Sequence, residues 1–503
     1  MLGPCRVSQC TPLLHLYETT SPVNIHTANP VPAGALNISS DDGTQVLKYA
    51  EGQHGHVQPD PSGNASLTWE VFLPESSHYN GRYLGVGIGN GGYAGVIDNY
   101  TMLQYLNEGY AVGGCDSGHH INENGSGTGY APYMDDLAKV KAWIHDSIAL
   151  TTGVARDTIT STYYANFPKH SYYYGCSTGG GQGYSLAQFY PELFDGIYAE
   201  GPGNYYTHLI LSFLWNQQHT QGAGFLDQHT LDFIAEKVID ACDEVDGVKD
   251  RLIGNSLNCD FDIQTLECSP DQRKKNETLC LTSAQVQAVQ AIYSGAKDSS
   301  AADVVYPGFD FGTESAWLEQ QTTLFNSYGS PILRQLVFNN ASYNAVKDFN
   351  WASDLDAVNQ RASPLINGIS TNLTAFHRHG GKFITAQGWS DPINAAAWPM
   401  QHLEDIKDVI GDETVSEFMR LFMIPGGGHC GANKAYPHVP AKNRILDALV
   451  DWVEKGVVPD DGVLSEAPPD GSNVTRRLCP WPKQARFNGG DQGDWRGYEC
   501  DVV

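Results

Sequence analysis

Two cysteine-flanked residues, Ser177 and His429, carry the clearest chemical signal in this sequence. Ser177 is the central residue of GCSTG, a G-x-S-x-G pattern in which Cys176 precedes the serine. His429 follows three consecutive glycines and is itself followed by Cys430. If Ser177 is a nucleophile and His429 is its base, their side chains must approach to about 3 Å. The flanking cysteines would then be near enough to bond, because disulfide-linked Cα atoms lie less than about 7 Å apart.

The surroundings of Ser177 in the sequence are those that a nucleophilic serine needs. Residues 170–174 are typical of a buried strand, and residues 182–190 have a helical pattern that ends before a proline. Glycines on both sides of the serine permit a sharp strand-to-helix turn that exposes its hydroxyl. The backbone amides that follow, beginning at Thr178, would face a developing oxyanion. The alternative is a glycine-rich turn without chemistry.

A candidate acid stands between the serine and the histidine in the chain. Asp391 lies in GWSDP at positions 388–392, after the strand-like residues 382–386, and His429 follows the strand-like residues 421–424. A carboxylate bonded to the second imidazole nitrogen fixes the tautomer and stabilises the imidazolium. The chain order Ser, Asp, His is the order found in α/β-hydrolases. The alternatives are an Asp-Pro turn and a structural histidine.

A second oxyanion donor is expected from an early strand-to-loop junction. Gly91 and Gly92 fit, because they lie in a glycine-rich loop directly after the strand-like residues 82–88. The same loop also matches a dinucleotide-binding G-x-G-x-x-G pattern. That alternative is disfavoured, because no acidic residue ends a following strand about 20 residues later.

Strand-like and helical segments alternate through the first third of the chain. Further strands are expected at residues 110–114 and 194–199, and amphipathic helices at residues 136–150 and 443–455. This alternation predicts an α/β fold with a mostly parallel sheet and helices on both faces. It stops in residues 205–375, which we interpret as a lid domain inserted between two parts of the catalytic domain, residues 1–204 and 376–503.

An acidic cluster in the lid segment is a candidate metal site. Asp243, Asp246 and Asp250 surround a glycine, and with backbone carbonyls they could form an oxygen cage for Ca²⁺. The spacing is not that of an EF-hand. The alternative is a solvated acidic turn.

Composition restricts the partners and indicates the compartment. A net charge of −27 disfavours binding to nucleic acid or anionic membranes, and no apolar run is long enough for a transmembrane helix. Eleven cysteines and eight N-x-[ST] sequons favour a secreted glycoprotein over a cytosolic protein with free thiols. Residues 1–10 do not resemble a signal peptide, so we expect the signal peptide to be missing from this chain. The sequons are at Asn37, Asn64, Asn99, Asn124, Asn276, Asn340, Asn372 and Asn473.

These motifs together resemble the tannase and feruloyl esterase family over residues 75–500. The resemblance is carried by YGCSTGG at 174–180, YPELFDGI at 190–197, GWSDP at 388–392 and GGHC at 427–430. It implies an α/β-hydrolase domain with a large lid, a triad of Ser177, Asp391 and His429, and a disulfide between Cys176 and Cys430. One departure is GQG at 181–183, where many relatives have a bulkier or charged residue.

The resemblance also implies a structural lid calcium and further disulfides. The calcium ligands would be the side chains of Asp243, Asp246 and Asp250 and the carbonyls of Val248 and Leu252. The clustering of the remaining cysteines in the sequence suggests the bridges Cys242–Cys259, Cys268–Cys280 and Cys479–Cys500, and the resemblance supports them. Cys5, Cys10 and Cys115 are left unassigned.

The sequence therefore predicts a secreted serine carboxylesterase that hydrolyses phenolic-acid esters derived from plant cell walls. Feruloyl and related hydroxycinnamoyl esters are favoured, and galloyl esters of tannins or other aromatic esters are the alternatives. A non-catalytic, calcium-stabilised protein that binds carbohydrates or polyphenols is a further alternative. Such a protein would be expected to have lost a triad residue, and the serine, aspartate and histidine are all present here. The oligomeric state is left open.

Overall fold

Short buried strands form a mixed sheet in the first of two units into which the chain divides. The computed structural model describes residues 25–39, 46–48, 53–59, 67–87, 96–118, 134, 136–269, 279–300, 303–431 and 433–502. The first unit joins Met1–Ala199 with Asn372–Phe383, and the second joins Glu200–Thr371 with Ile384–Val503. The predicted division into a lid and two hydrolase segments is a different partition and stays a prediction.

The sheet of the first unit combines parallel and antiparallel pairs. Arg82–Val86 runs parallel to both Ala111–Cys115 and His170–Cys176, with Leu84 opposite Val112 on one side and Tyr172 on the other. Its central strands are buried on both faces, which explains their unbroken apolar pattern. Neighbouring strands follow the order Ile25–Pro32, Gln53–Pro59, Trp69–Leu73, Ala111–Cys115, Arg82–Val86, His170–Cys176 and Gly196–Glu200.

The predicted strands are present with shifted ends, but the N-terminal strands were not anticipated. Trp69–Leu73 is antiparallel to Ala111–Cys115, and Gln53–Pro59 is antiparallel to Trp69–Leu73. A small hairpin pairs Asn37–Ser39 with Val46–Lys48. The expectation of a mostly parallel sheet therefore holds for the strands around Ser177, while antiparallel strands extend the sheet on the N-terminal side.

The helix predicted at residues 136–150 starts where expected and continues further. Asp136 caps its first turn by accepting a hydrogen bond from the Ala138 amide. Helical backbone then continues to Tyr164, and Ala165 ends it in a left-handed conformation with φ 55°. Among the described residues, the α-helices of the first unit are Asn99–Asn107, Leu137–Lys141, Ser147–Thr152, Ser161–Tyr164, Thr178–Phe189 and Thr374–His379, with π-helical turns at Ala142–Asp146 and Gly153–Thr160.

The second unit contains the strands that carry the candidate acid and base. Lys382–Gly388 and Met419–Ile424 form strands, as their apolar sequences predict, and the two strands are neighbours in the sheet. The other strands are Ala296–Lys297, Val304–Tyr306, Lys442–Asn443, Val463–Glu466, Arg476–Leu478, Lys483–Phe487 and Tyr498–Val502.

The segment predicted as a lid is mainly helical, and its apolar helix faces are buried. In the part of the second unit that the structure describes, the α-helices are Tyr206–His219, Gln228–Cys242, Ser283–Ser294, Leu318–Thr322, Ala345–Asp348, Ser353–Arg361, Ser363–Ile366, Ala397–Ile410, Asp412–Phe418 and Ile445–Lys455. Shorter 3₁₀ turns lie at Gly222–Gly224, Asp243–Asp246, Ser256–Asn258, Ile263–Leu266, Glu314–Ala316 and Trp495–Gly497, and π-helical turns at Phe325–Gly329 and Ile332–Val337.

The cysteines follow the predicted pairing wherever the structure describes a pair. Disulfides join Cys242 to Cys259, Cys268 to Cys280 and Cys479 to Cys500. Cys176 and Cys430 are each disulfide-bonded, while Cys115 is a buried thiol outside any disulfide. Cys5 and Cys10 lie outside the described residues. In the part of the chain that the structure describes, no helix is both long enough and apolar enough to span a bilayer.

Candidate active site

Ser177 occupies a strained turn between the strand His170–Cys176 and the helix Thr178–Phe189. Its φ is 58° and its ψ is −120°, values that residues with a side chain rarely adopt. The turn is continuous with the helix, because the Gly181 amide donates to the Ser177 carbonyl at 3.0 Å. This strained strand-to-helix geometry is the one expected of a nucleophile elbow.

Glycine is required beside this turn because backbone segments meet there without room for a side chain. A Cβ atom on Gly175 would lie 2.5 Å from the Gly179 carbonyl group, and one on Gly87 would lie 2.0 Å from the Tyr173 hydroxyl. That hydroxyl donates to the Gly179 carbonyl at 2.8 Å. The G-x-S-x-G pattern therefore has a packing reason in addition to any chemical one.

One of the predicted oxyanion donors lies in the first turn of the helix after Ser177. Thr178 is its first residue and is buried, and amides in this turn are oriented toward the N-terminal end of the helix. Gly91 and Gly92 lie outside the described residues. The two-donor oxyanion hole therefore stays a prediction.

Asp391 and His429 are brought together as predicted. The imidazole Nδ1 of His429 lies 2.9 Å from Oδ2 of Asp391, whose side chain is fully buried. An ionised carboxylate only accepts hydrogen bonds, so in the neutral imidazole Nδ1 carries the proton and Nε2 keeps its lone pair. The imidazole is 18% exposed. This arrangement prepares Nε2 to accept a proton.

Three further donors hold the Asp391 carboxylate in place. The Ile393 and Asn394 amides donate to Oδ1 at 2.8 and 3.0 Å. The Gln387 side-chain amide donates to Oδ2 at 2.9 Å. Both oxygens are thus occupied, and the carboxylate cannot rotate away from His429 without losing these bonds.

The loops that carry Asp391 and His429 are joined through their backbones. The Ser390 amide donates to the Gly427 carbonyl at 3.1 Å, and the Asn433 side-chain amide donates to the Ser390 and Gly426 carbonyls. A Cβ atom on Gly388 would lie 2.2 Å from the Gly427 carbonyl oxygen. Glycines in both loops therefore permit the close approach that the Asp391–His429 bond requires.

A second carboxylate, Glu200, acts on the charge of His429. Burial lowers the pKa of His429, but the charge of Asp391, its hydrogen bond and the charge of Glu200 together raise that pKa above its usual value. Glu200 is buried at the end of the strand Gly196–Glu200. The next residue, Gly201, is held by the Ala386 carbonyl and the Asn394 side chain. Sequence reasoning missed Glu200, because nothing local distinguishes it from other acids.

The predicted calcium residues lie in one loop of the second unit. Asp243 Oδ1 accepts from the Asp250 and Leu252 amides at 3.0 and 3.1 Å, and Asp246 Oδ1 accepts from the Val248 amide at 3.0 Å. Burial, together with the charges of Asp250 and Asp243, raises the pKa of Asp246 to about 6. Burial also raises the pKa of Asp250. Burial and the neighbouring acids therefore disfavour the charged forms of Asp246 and Asp250.

The donor set suits calcium in chemistry but is not assembled as a cage. Asp250 pairs with Arg476 at 2.6 Å through Oδ2, while its buried Oδ1 has no hydrogen-bond partner. Oxygen-only donors with several carboxylates are what Ca²⁺ prefers. However, within the described ranges no three His, Cys, Asp or Glu side chains are grouped so that they could hold a metal ion. The burial, mutual repulsion and unpartnered oxygen are the features that a cation would relieve.

The chain is similar to named proteins over most of its length. A family model described as "Tannase and feruloyl esterase" matches residues 53–500. Probable feruloyl esterase B-2 of Aspergillus fumigatus is 28% identical over 467 residues, which cover 88% of this chain and 85% of the relative. Probable feruloyl esterase B-1 of Aspergillus oryzae is 28% identical over 507 residues, which cover 95% and 90%.

Two solved structures share the fold. The crystal structure of feruloyl esterase B from Aspergillus oryzae has a TM-score of 0.84 at 26% identity and covers 98% of this chain and 99% of its own. Tannin acyl hydrolase from Aspergillus niger has a TM-score of 0.78 at 20% identity, with coverage of 97% and 93%. The second likeness is one of fold alone. The predicted fold class is confirmed.

Proposed function

Because the chain belongs to the tannase and feruloyl esterase family, we propose that it is a serine carboxylesterase that hydrolyses feruloyl and related hydroxycinnamoyl esters. The observation that carries the substrate class is the similarity to feruloyl esterase B over nearly the full length of both chains. Carboxylic ester hydrolysis is the chemistry that the strained Ser177 and the Asp391–His429 pair support.

In the proposed mechanism, Nε2 of His429 removes the proton from the Ser177 hydroxyl as the serine oxygen attacks the ester carbonyl carbon. The carbonyl oxygen of the ester becomes an oxyanion, which amides in the first turn after Ser177 and in the loop of Gly91 and Gly92 would stabilise. As the carbonyl re-forms, the alcohol leaves with the proton from His429. Water then attacks the acyl-serine by the same steps and releases the phenolic acid.

In this mechanism Asp391 orients His429 and fixes which ring nitrogen acts as the base. It holds the Nδ1 proton of His429, so Nε2 is free to act as the base, and it stabilises the imidazolium that forms. We further propose that Cys176 and Cys430, which are each disulfide-bonded, bond to each other and keep Ser177 near His429.

The substrate proposal is tested by parallel hydrolysis of methyl ferulate and methyl gallate under identical conditions. A kcat/KM for ferulate well above that for gallate supports the feruloyl esterase. The reverse preference makes the protein a tannase. Cleavage of neither ester by folded protein refutes the aryl-ester proposal, and failure of a fluorophosphonate probe to label Ser177 would then favour the non-catalytic binding protein.

Glu200→Gln is expected to move the acidic limb of the pH profile of kcat/KM to lower pH. The carboxylate of Glu200 helps to keep His429 protonated, so its removal lowers the pKa of His429, and the neutral base is present at lower pH. The measurement is kcat/KM for methyl ferulate between about pH 4 and 8. Glu404→Gln, which removes an exposed carboxylate bonded to Lys407, is the control and should leave the limb in place. A limb that stays fixed in Glu200→Gln contradicts the role of Glu200.

We also propose that Ca²⁺ binds the loop of Asp243, Asp246 and Asp250, with the carbonyls of Val248 and Leu252, in a structural role. The support is the buried, mutually repelling carboxylates and the unpartnered Asp250 oxygen. A cation present at about 100 times its Kd would stabilise the folded protein by about 2.7 kcal/mol.

Calcium is expected to raise Tm by several degrees and to change initial turnover little. Asp246→Asn should raise Tm in chelator, because it removes repulsion, and should abolish most of the calcium response. Glu244→Gln is the control, because Glu244 is exposed and pairs with Lys249; it should keep the full response. Equal responses in the two variants would refute the site.

We propose, finally, that the protein is secreted and glycosylated. Disulfides stabilise folded proteins in oxidising compartments, and three are described here. Of the sequon asparagines, Asn37, Asn340, Asn372 and Asn473 are exposed. A loss of mass on treatment with an N-glycosidase, after expression in a fungal host, would support the proposal.

A further inference from the structure

A buried side chain from the segment predicted as the lid contacts the turn that carries Asp391. Gln320 lies on the helix Leu318–Thr322 and is fully buried. Its Nε2 donates to the Pro392 carbonyl, 72 residues away, at 2.5 Å. Its Oε1 accepts from the Asn216 side-chain amide at 2.9 Å. Both ends of the Gln320 amide are therefore bonded, and its orientation is fixed.

The Pro392 carbonyl and the Ile393 amide belong to one peptide group, which is planar and rigid. Gln320 holds the oxygen end of this group. The N–H end donates to Asp391 Oδ1 at 2.8 Å, and Asp391 Oδ2 bonds His429 Nδ1 at 2.9 Å. The bonds thus run without interruption from Gln320 to the imidazole, and such chains strengthen their members by mutual polarisation.

We infer that Gln320 is a positioning residue that holds the Pro392–Ile393 peptide group, and through it the Asp391 carboxylate, in the orientation that serves His429. This inference rests on the proposed esterase function. It assigns to a residue of the predicted lid segment a part in the acid–base pair, in addition to any part in substrate binding. Gln320 acts through Asp391 and does not touch the reacting atoms.

The neighbouring Gln321 offers a matched control. It is also buried, but within the described ranges its amide bonds only Leu226 and Trp317. Replacing either glutamine with leucine keeps the bulk of the side chain and leaves buried partners unpaired, which lowers the thermal stability. Only Gln320→Leu also releases the peptide group beside Asp391.

Gln320→Leu is expected to lower kcat for methyl ferulate about 10- to 100-fold with little change in KM, because small displacements of catalytic groups have effects of this size. Gln321→Leu should lose similar thermal stability and keep kcat within about twofold of the unsubstituted protein. The double variant Asn216→Leu/Gln320→Leu should regain part of the lost stability, since both bonding partners are then apolar, and should not regain kcat.

A second readout needs no substrate. The titration of His429, followed by NMR of its imidazole protons and assigned by their loss in His429→Ala, should shift to lower pH in Gln320→Leu and stay unchanged in Gln321→Leu. Equal titration in the two variants, or a kcat restored along with stability in the double variant, would overturn the inference. If the unsubstituted protein cleaves neither ester, the proposed function fails, and the NMR titration still decides the role of Gln320.

Discussion

Replacing Ser177 with alanine is expected to lower kcat for methyl ferulate by about 10⁴- to 10⁶-fold, the range found when the nucleophile of a serine triad is removed. The Ser177 hydroxyl is the atom that forms the acyl bond in the proposed mechanism, and no other group supplies it. The alanine should fold normally, because serine already adopts the positive φ of 58° with a Cβ atom. The measurement is single-turnover hydrolysis together with labelling by a fluorophosphonate probe.

Ser117→Ala is the matched control for this substitution. Ser117 is another buried serine of the first unit with a positive φ, 64°. Both variants should therefore have similar thermal stability, while only Ser177→Ala should lose turnover and probe labelling. Labelling that persists in Ser177→Ala, or turnover that falls equally in the two variants, would place the nucleophile elsewhere.

Asp391→Asn is expected to reduce kcat by about 10⁴-fold while leaving KM much less affected. The carboxylate now accepts the Nδ1 proton of His429. An asparagine amide can instead present an N–H to that nitrogen, which favours the tautomer with its proton on Nε2, and that tautomer cannot accept a proton from Ser177. The measurement is steady-state hydrolysis of methyl ferulate across the pH range.

Asp116→Asn separates this effect from the general cost of the substitution. Asp116 is a buried carboxylate directly after a strand, and it accepts from the Thr68 and Gly118 amides at 2.9 Å each. Its replacement should lower stability and change kcat by less than about tenfold. If Asp391→Asn also keeps kcat within tenfold, Asp391 is not the acid of the triad, and the buried Glu200 would be the next candidate to examine.

Features that depend on residues close together in the sequence were predictable, and features that depend on residues far apart were not. The serine turn, the positions of Asp391 and His429 after neighbouring strands, and three disulfide pairs were all predictable. Each leaves a local mark: glycines where side chains cannot fit, apolar runs where strands are buried, and cysteines at short spacing. The helix beginning at Leu137 was predicted with the right start and the wrong end, because its continuation to Tyr164 includes Gly153 and π-helical turns that the periodicity does not reveal.

The sequence by itself determined the fold class, the family and the residue types available for catalysis. Only the tertiary structure decided that Glu200 acts on the charge of His429 and that Gln320 bonds the peptide group beside Asp391. It also decided the antiparallel N-terminal part of the sheet. The physical reason is that a hydrogen bond between residues 72 positions apart depends on how the chain folds back. A buried glutamine that makes such a bond, or a buried glutamate whose charge acts on a distant residue, has no neighbours in the sequence that distinguish it from any other.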